Sequence, residues 1–241
     1  MRIQFVDCRW QLGRPELGRE QYLEGHVPGA SFLDVDSDLA APPGDRGRHP
    51  LPDADSFAAA AGAAGIGAGV LAVAYGTMGG AERLWWLLRH FGHEDCAVLL
   101  GGLDAWAGPL RAGPEEIERA TFTARAPRTD DTIDADELQQ RLHDSDLLLL
   151  DARAPERFRG ETEPIDPVAG RIPGARNLPY TAGDAIPADV LAADELAVYC
   201  GSGVTSCVTL LELARAGRPD AKLYAGSWSE WCRRGLPAER D

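Results

Sequence analysis

The sequence predicts an α/β protein made of two copies of one domain, each with a mainly parallel sheet and helices on both faces of the sheet. Two observations support this prediction. Short motifs recur in the same order in both halves of the chain, which is the signature of an internal repeat. Within each half, short apolar segments alternate with segments of helical periodicity, the pattern of a parallel sheet whose strands are buried.

Four pairs of motifs carry the repeat. In order along the chain they are an apolar run followed by Asp-x-Arg, a Gly-x-x-Pro-Gly-Ala motif, an apolar run that ends in Gly, and a motif that begins with Gly and ends with Trp. The pairs are Phe5–Trp10 with Leu149–Ala154, Gly25–Ala30 with Gly170–Ala175, Leu71–Gly76 with Leu196–Gly201, and Gly101–Trp106 with Gly226–Trp231.

The boundary between the two copies is predicted where the pattern weakens. The stretch 111–131 is charged, has little periodicity and contains Pro114 and Pro127, as expected of a linker or an extended crossover. The predicted division is a first domain at 1–112, a linker at 113–131 and a second domain at 132–241.

The second copy shows its elements most clearly. Leu147–Leu150, Ala197–Tyr199 and Lys222–Tyr224 read as strands, and Val204–Arg215 has the apolar spacing of a helix that ends before Gly217. Ligands of parallel sheets bind beyond the carboxyl ends of the strands. The residue after Tyr199 therefore falls where a ligand is expected.

Composition excludes several classes of function. The chain has 241 residues, of which 38 are acidic and 24 are Lys or Arg, so its formal net charge is −14. Such a chain is a poor candidate for binding nucleic acid or an anionic membrane. The N-terminus lacks the apolar core of a signal peptide, and no apolar run approaches the length of a membrane span. A cytoplasmic protein is expected.

The cysteines suggest reduced thiols rather than a zinc site or a disulfide framework, because their number is odd and no CxxC pair occurs. They are Cys8, Cys96, Cys200, Cys207 and Cys232.

Cys200 stands in a loop whose sequence suits a nucleophile. A thiol is activated when its thiolate is stabilised. Gly201 and Gly203 allow the loop to turn its N–H groups inward, and a helix N-terminus adds further unpaired N–H groups. Thr205 or Ser206 is expected to cap that helix.

The alternative is a buried cysteine before a Gly-rich turn, since free Cys is often simply packed. Gly76 occupies the corresponding place in the first copy, so the repeat folds without a thiol there. Phosphoryl transfer through a Cys-x₅-Arg loop is not expected, because Ser206 stands where the arginine is needed. Cys207 and Cys232 are expected to be packed thiols, with a redox partnership with Cys200 as the alternative.

The repeated motifs, the cysteine after a strand and the "GSWSEW" tail resemble those of the rhodanese-like sulfurtransferases, over almost the whole chain. The resemblance implies two tandem rhodanese-like domains, of which only the second is catalytic. It implies transfer of a sulfane sulfur through a persulfide on Cys200, without a metal or an organic cofactor. The expected partners are a small-molecule sulfur donor and a thiol acceptor, such as thioredoxin or a small thiol, with cyanide as an artificial acceptor.

The loop also indicates the donor. Within this family, members that use 3-mercaptopyruvate tend to read Cys-Gly-Ser-Gly-Val-Thr, as Cys200–Thr205 does here, whereas members that prefer thiosulfate tend to carry basic residues after the cysteine. The resemblance therefore implies a 3-mercaptopyruvate donor. The alternatives are a thiosulfate sulfurtransferase and a non-catalytic persulfide carrier.

The resemblance assigns roles to three further residues. In mercaptopyruvate members the loop serine is linked to a His and an Asp of the first domain, and the matching residues are Ser202, His49 and Asp36. A hydroxyl, a base and an orienting carboxylate have the logic of a catalytic triad. The residues alone, without the resemblance, favour a loop histidine exposed to water and a capping aspartate, because His, Asp and Ser are common on surfaces.

The resemblance also places arginines on the substrate carboxylate. Arg157 matches one of them, and its planar guanidinium suits a bidentate contact; a surface ion pair with Glu156 or Glu161 is the alternative. A second family arginine commonly follows Glu-Pro, but this chain has Ile165 there. Arg171 is a candidate replacement, and packing near the domain surface is the alternative for it. The remaining substrate-binding candidates are the loop residues Gly201, Gly203, Val204 and Thr205.

Overall fold

The structure is a computed structural model that describes residues 1–183 and 185–241. The chain forms two compact units, one made of residues 1–41 and 51–128 and the other of residues 42–50 and 129–241. The short segment 42–50 is therefore part of the second unit, although the chain reaches it from the first.

The first unit contains a parallel four-stranded sheet in the order β2-β1-β3-β4. Its elements are β1 (Arg2–Cys8), α1 (Leu17–Glu24), β2 (Ser31–Phe32), α2 (Ala54–Ala63), β3 (Val70–Gly76), α3 (Gly80–His90) and β4 (Cys96–Val98), followed by a 3-10 turn at Gly102–Ala105.

The second unit repeats this topology in the order β6-β5-β7-β8, again with parallel pairs. Its elements are α4 (Ala135–Gln140), β5 (Leu147–Asp151), α5 (Pro155–Phe158), β6 (Arg176–Asn177), a 3-10 turn at Tyr180–Ala182, α6 (Ala188–Leu191), β7 (Glu195–Tyr199), α7 (Ser206–Arg215), β8 (Lys222–Leu223) and α8 (Ser227–Arg233). The predicted α/β fold with two tandem domains is confirmed.

The central strand of the second unit is covered on both faces. Four consecutive residues of β7, from Leu196 to Tyr199, have no exposed surface, and successive side chains of a strand point to opposite faces. This explains the continuous apolar run, and it places the residue after Tyr199 at the carboxyl end of a buried strand.

The Asp-x-Arg motif of the second unit ties a strand end to the next motif along the chain. Arg153 Nε donates to Asp151 Oδ1 at 3.0 Å, and Arg153 Nη2 donates to the carbonyl of Gly170 at 2.7 Å. The guanidinium carbon also lies 4.8 Å from the ring centroid of Trp228. Because the pair is buried, its charges are stable only while these partners remain in place.

The first unit builds the same connection. Arg9 Nε donates to Asp7 Oδ1 at 3.0 Å, and Arg9 Nη2 donates to the carbonyl of Gly25 at 2.7 Å. The repeated motifs are therefore explained by folding: each Asp-x-Arg holds the Gly-x-x-Pro-Gly-Ala motif of its own unit.

A tyrosine at the end of each central strand adds a second equivalent link. The Tyr75 hydroxyl accepts the N–H of Val27 at 3.2 Å, and the Tyr199 hydroxyl accepts the N–H of Ile172 at 3.1 Å. Both tyrosines belong to the hydrophobic core of their unit. The carboxyl end of each central strand is thus held by the same contacts.

The structure differs from the predicted boundaries in two places. Most of the predicted linker, residues 113–128, packs on the first unit: the Ala120 N–H donates to the Gly62 carbonyl at 2.9 Å, and the ring of Phe122 meets that of Phe57 at 5.5 Å. The second difference is segment 42–50. The contacts of Ala120 and Phe122 join residues that lie far apart in the sequence. Local composition could not reveal them and therefore suggested a linker.

Across the described part of the chain, no helix has the length and apolar character needed to cross a bilayer.

Replacing Arg153 by Met should destabilise the second unit by about 3–5 kcal/mol, because it leaves the buried Asp151 carboxylate without its partner. Hydrogen exchange of the β5 and β7 peptides measures the effect locally. Arg9→Met is the matched control in the first unit, where the arginine side chain is 12% exposed against 1% for Arg153, so its cost should be smaller. Equal protection of β5 and β7 in Arg153→Met and the unaltered protein would contradict this account.

Candidate active site

Cys200 lies at the carboxyl end of β7 and is 1% exposed. The next residues turn sharply before α7 begins. The Gly203 N–H donates to Cys200 Sγ at 3.1 Å, so the loop turns a backbone donor toward the sulfur as its glycines suggested. A thiolate at this position receives direct stabilisation from the loop.

Gly203 is required by the backbone of the loop. Its φ is +83°, and a Cβ built there would lie 2.4 Å from the carbonyl oxygen of Ala225. An L-residue is both strained and obstructed at this position. Glycine therefore permits the turn that aims the N–H at Cys200.

The beginning of α8 anchors the loop from the other side. The N–H groups of Trp228 and Ser229 donate to the carbonyls of Cys200 and Gly201, each at 3.0 Å. The Ser227 hydroxyl accepts the N–H of Cys200 at 3.1 Å. The "GSWSEW" motif is thus explained as the anchor of the cysteine loop.

Ser227 holds an unfavourable backbone conformation. Its φ is +54°, whereas the corresponding residue of the first unit, Gly102, reaches +60° without a side chain. A left-handed conformation costs a non-glycine residue about 1–2 kcal/mol. The second unit keeps a serine there, and the serine hydroxyl holds the N–H of Cys200.

The pKa of Cys200 lies below its ordinary value. Burial of the thiol alone would raise this pKa, but hydrogen bonds from the Thr205 side chain, the Ser202 backbone and Ser206 outweigh burial. The thiolate of Cys200 is consequently easier to form than that of an ordinary cysteine.

The expected cap of α7 is absent. Thr205 stands before the first helical residue, but it has φ −69° and ψ −17°, and its hydroxyl makes no capping bond. An N-cap hydroxyl reaches the helix N–H groups from an extended backbone, which Thr205 does not have. A hydrogen bond from its side chain instead lowers the pKa of Cys200.

Segment 42–50 brings His49 to the loop. The segment is fixed by the Arg48 N–H, which donates to Ser229 Oγ at 3.1 Å. His49 Nδ1 and Ser202 Oγ are 2.7 Å apart, and both residues are buried. The structure thus brings together two of the three residues that the family resemblance linked.

Asp36, the third of these residues, lies in the first unit. Its N–H donates to Asp34 Oδ1 at 2.9 Å. Its predicted role toward His49 stays a prediction.

Arg157 lies beside the loop and is paired with Glu163, not with Glu156 or Glu161 as the alternative from the sequence suggested. Its Nη2 donates to Glu163 Oε1 at 2.7 Å and its Nε to Glu163 Oε2 at 3.1 Å. A Cβ built on Gly201 would lie 3.3 Å from Arg157 Nη1. The absence of a side chain at Gly201 leaves the guanidinium close to the loop.

Arg48 is the functional candidate that sequence reasoning missed. Its Nη2 would lie 3.0 Å from a Cβ at Gly201, closer than Arg157, and its Nη1 donates to Asp166. Burial raises the pKa of Asp166, and Arg48 offsets this only in part. The sequence offered one indication of its importance: Arg48 directly precedes His49, which is itself a candidate site residue.

Arg171, the proposed substitute for the arginine missing at Ile165, makes other contacts. Its Nη1 donates to Asp241 Oδ1 at 2.7 Å, its Nε lies 3.7 Å from Glu239 Oε2, and its guanidinium covers the ring of Phe158. Among the hydrogen bonds and ion pairs of the described residues, none joins Arg171 to the Cys200 loop.

The remaining residues of the loop region are packed. Val204 and Cys207 are buried, and Cys207 Sγ lies 3.5 Å from the Gly203 carbonyl. Burial and then Asp166 raise the pKa of Cys232, which disfavours a thiolate there. All five cysteines are free thiols.

The first unit has no room for the same chemistry. Gly76 pairs with Cys8 at the end of its central strand, and a Cβ at Gly76 would lie 2.7 Å from the Cys8 carbonyl oxygen. A cysteine therefore cannot be restored there without a backbone shift.

Comparisons with known proteins agree with this geometry. The model of the rhodanese-like domain family matches residues 2–109 and, a second time, residues 134–234. A probable 3-mercaptopyruvate sulfurtransferase from Pseudomonas aeruginosa is 44% identical over 250 residues, which cover 94% of this chain and 88% of that protein. A putative thiosulfate sulfurtransferase from Mycobacterium tuberculosis is 37% identical over 255 residues, covering 95% of this chain and 87% of that protein.

A solved structure shows the same fold. The crystal structure of SseA, a 3-mercaptopyruvate sulfotransferase from Escherichia coli, superposes with a TM-score of 0.78 at 32% identity, and the match covers 95% of this chain and 93% of that one.

Replacing Thr205 by Val should raise the pKa of Cys200, because it removes the side-chain hydrogen bond that contributes most to lowering it. The midpoint of the pH profile for alkylation of Cys200 by iodoacetamide should then move to higher pH. Thr209→Val, in the helix that follows Thr205, is the matched control, since among the described residues the buried Thr209 hydroxyl has no hydrogen-bond partner. An unchanged midpoint in Thr205→Val would refute the assignment.

Replacing Ser227 by Ala should cost about 1–3 kcal/mol, because it leaves the buried N–H of Cys200 without a partner. Ser227→Gly loses the same bond but relieves a left-handed conformation that costs about 1–2 kcal/mol. Urea denaturation should therefore rank Ser227→Gly above Ser227→Ala in stability. The reverse order would show that the strain at Ser227 is not significant.

Proposed function

Because this chain belongs to the rhodanese-like domain family, we propose that it is a sulfurtransferase that takes a sulfane sulfur from 3-mercaptopyruvate and passes it to a thiol acceptor. The observation that carries this proposal is the buried Cys200, whose pKa is lowered and whose Sγ accepts the Gly203 N–H. A buried thiol with stabilised thiolate character is a nucleophile rather than a packing residue.

In the first half-reaction the Cys200 thiolate attacks the sulfur of 3-mercaptopyruvate. A new S–S bond forms, the C–S bond of the donor breaks, and its electron pair leaves with the carbon as the enolate of pyruvate. The enolate then takes up one proton. In the second half-reaction an acceptor thiolate attacks the outer sulfur of the Cys200 persulfide and restores the Cys200 thiolate.

The proton for the enolate is proposed to come through Ser202 and His49. Their short contact of 2.7 Å supports proton exchange between the hydroxyl and the ring. Asp36 is proposed to orient His49, as the family resemblance implies.

The donor carboxylate is proposed to bind Arg157, whose Nη1 lies beside the Gly201 backbone. The loop residues Gly201, Gly203, Val204 and Thr205 are proposed to surround the sulfur of the bound donor. The contacts of Arg171 with Asp241 and Glu239 give no support to a donor-binding role for that residue.

Thiosulfate is the second candidate donor. One relative of this chain is named a putative thiosulfate sulfurtransferase, and two arginines near Gly201 offer positive charge to a dianion. The neutral Gly-Ser-Gly sequence of the loop and the Ser202–His49 contact favour 3-mercaptopyruvate, because sulfite leaves thiosulfate without needing a proton on carbon. A persulfide carrier without turnover is the third possibility.

The acceptor is proposed to be a small thiol or thioredoxin, and the compartment the cytoplasm. Turnover requires Cys200 to return to the reduced state, and the cytoplasm keeps free thiols reduced.

The ratio of kcat/KM for the two donors tests the proposal. We expect 3-mercaptopyruvate to be preferred, and Cys200→Ser to abolish pyruvate release. Ser202→Ala should lower kcat with 3-mercaptopyruvate by about 10²-fold, the usual contribution of general acid–base catalysis, and should change thiosulfate turnover little.

Ser145→Ala is the matched control, because Ser145 is an exposed serine of the same unit whose hydroxyl donates to Asp146 Oδ1. A preference for thiosulfate would overturn the donor assignment. A stable persulfide on Cys200 without turnover of either donor would overturn the enzymatic function in favour of a carrier.

A further inference from the structure

The guanidinium groups of Arg48 and Arg157 lie close to Gly201. They differ in how many hydrogen bonds they make with acidic side chains. Arg157 makes three hydrogen bonds with Glu163. Arg48 makes a single ion pair, through Nη1, with Asp166. Among the described residues, Arg48 Nη2, the atom nearest Gly201, has no hydrogen-bond partner.

The environment of Arg48 is that of a positioned charge rather than a solvated one. Its side chain is only 15% exposed, and its buried Nε finds no hydrogen-bond partner in the part of the chain that the structure describes. Leaving a guanidinium donor unpaired in a desolvated place is costly. Such a cost is expected where the donor is reserved for a ligand.

Asp166 connects the two arginines. One carboxylate oxygen binds Arg48 Nη1, and the other lies 3.6 Å from Arg157 Nη2 without making a hydrogen bond. The carboxylate is 2% exposed, so it acts on its neighbours and not on solvent. It attracts both cations, and guanidinium nitrogens of both lie near Gly201.

Arg48 and Arg157 face Glu163 and Asp166. Glu163 also contacts Arg153, whose own partner is Asp151, so the cluster holds equal numbers of arginines and acids. A ligand with one negative charge gains a net attraction from the unpaired Nη2 of Arg48. A guanidinium suits the carboxylate geometry. Arg48 also directly precedes His49, so one short segment brings a cation and an imidazole to the same loop.

We propose that Arg48 binds the carboxylate of the sulfur donor beside Arg157, and that Asp166 positions Arg48 for this contact. The identity of the donor rests on the proposed function above. The carboxylate-binding role itself does not, because it concerns any small anion that approaches Cys200.

The test compares two alkylating reagents that differ in charge. Iodoacetate carries a carboxylate and iodoacetamide does not, yet both form the same type of thioether with Cys200. Rates are measured on the Cys200 peptide by mass spectrometry, with Cys200→Ser as the blank. Sulfur transfer plays no part in this reaction, so the measurement remains valid if the proposed function fails.

We expect Arg48→Gln to lower the ratio of the iodoacetate rate to the iodoacetamide rate by about tenfold, as for loss of one charge-assisted hydrogen bond. Arg48→Lys keeps the charge without the planar geometry and should give an intermediate ratio. In turnover with 3-mercaptopyruvate, Arg48→Gln should raise KM more than it lowers kcat.

Arg159→Gln is the control, because Arg159 forms an exposed pair with Glu161 in the same unit; its ratio should equal that of the unaltered protein. An unchanged ratio in Arg48→Gln would overturn the proposal. Equal loss of both alkylation rates would also overturn it, because that result assigns Arg48 a purely structural role. If Arg48→Gln does not fold, the ratio in Arg48→Lys decides in the same way.

Discussion

Two backbone hydrogen bonds at the start of α8 hold the loop on which the chemistry depends. The N–H groups of Trp228 and Ser229 bind the carbonyls of Cys200 and Gly201. With these carbonyls turned toward α8, the loop is free to turn the Gly203 N–H toward the sulfur. An ionised thiol buried without such donors would be strongly disfavoured. The reactivity of Cys200 is therefore supported by the backbone N–H groups of the loop together with the nearby hydroxyl groups, among which Thr205 contributes most to lowering the pKa.

The two units show what this geometry costs. Both use a buried Asp-x-Arg pair and a tyrosine hydroxyl to hold the end of the central strand. Only the second places a serine in a left-handed conformation, at Ser227, where the first has Gly102. Gly76, which replaces the cysteine, sits too close to the Cys8 carbonyl to accept a side chain. The first unit retains the shared framework but has a glycine, Gly102, at the position that corresponds to Ser227. It therefore has no hydroxyl there to accept a backbone N–H.

The sequence predicted the fold because repeats and strand periodicity are local signals, and it identified Cys200 from its place between a strand and a helix. Pairing His49 with Ser202 needed the family resemblance, since 153 positions separate them. Arg48 was missed because its contact with Asp166 spans 118 positions and no local pattern marks it. The capping role expected of Thr205 failed for a different reason: capping depends on backbone dihedral angles, which residue type only biases.

The excursion of residues 42–50 has a consequence for how this protein can be divided. A gene fragment that encoded only residues 129–241 would contain Cys200 and Ser202 but would lack Arg48 and His49, which belong to the same compact unit. Cutting the chain at the boundary between the repeats therefore removes Arg48 and His49 from the unit that holds Cys200. A chain that carries all residues of the second unit must also carry the part of the first repeat that leads into segment 42–50.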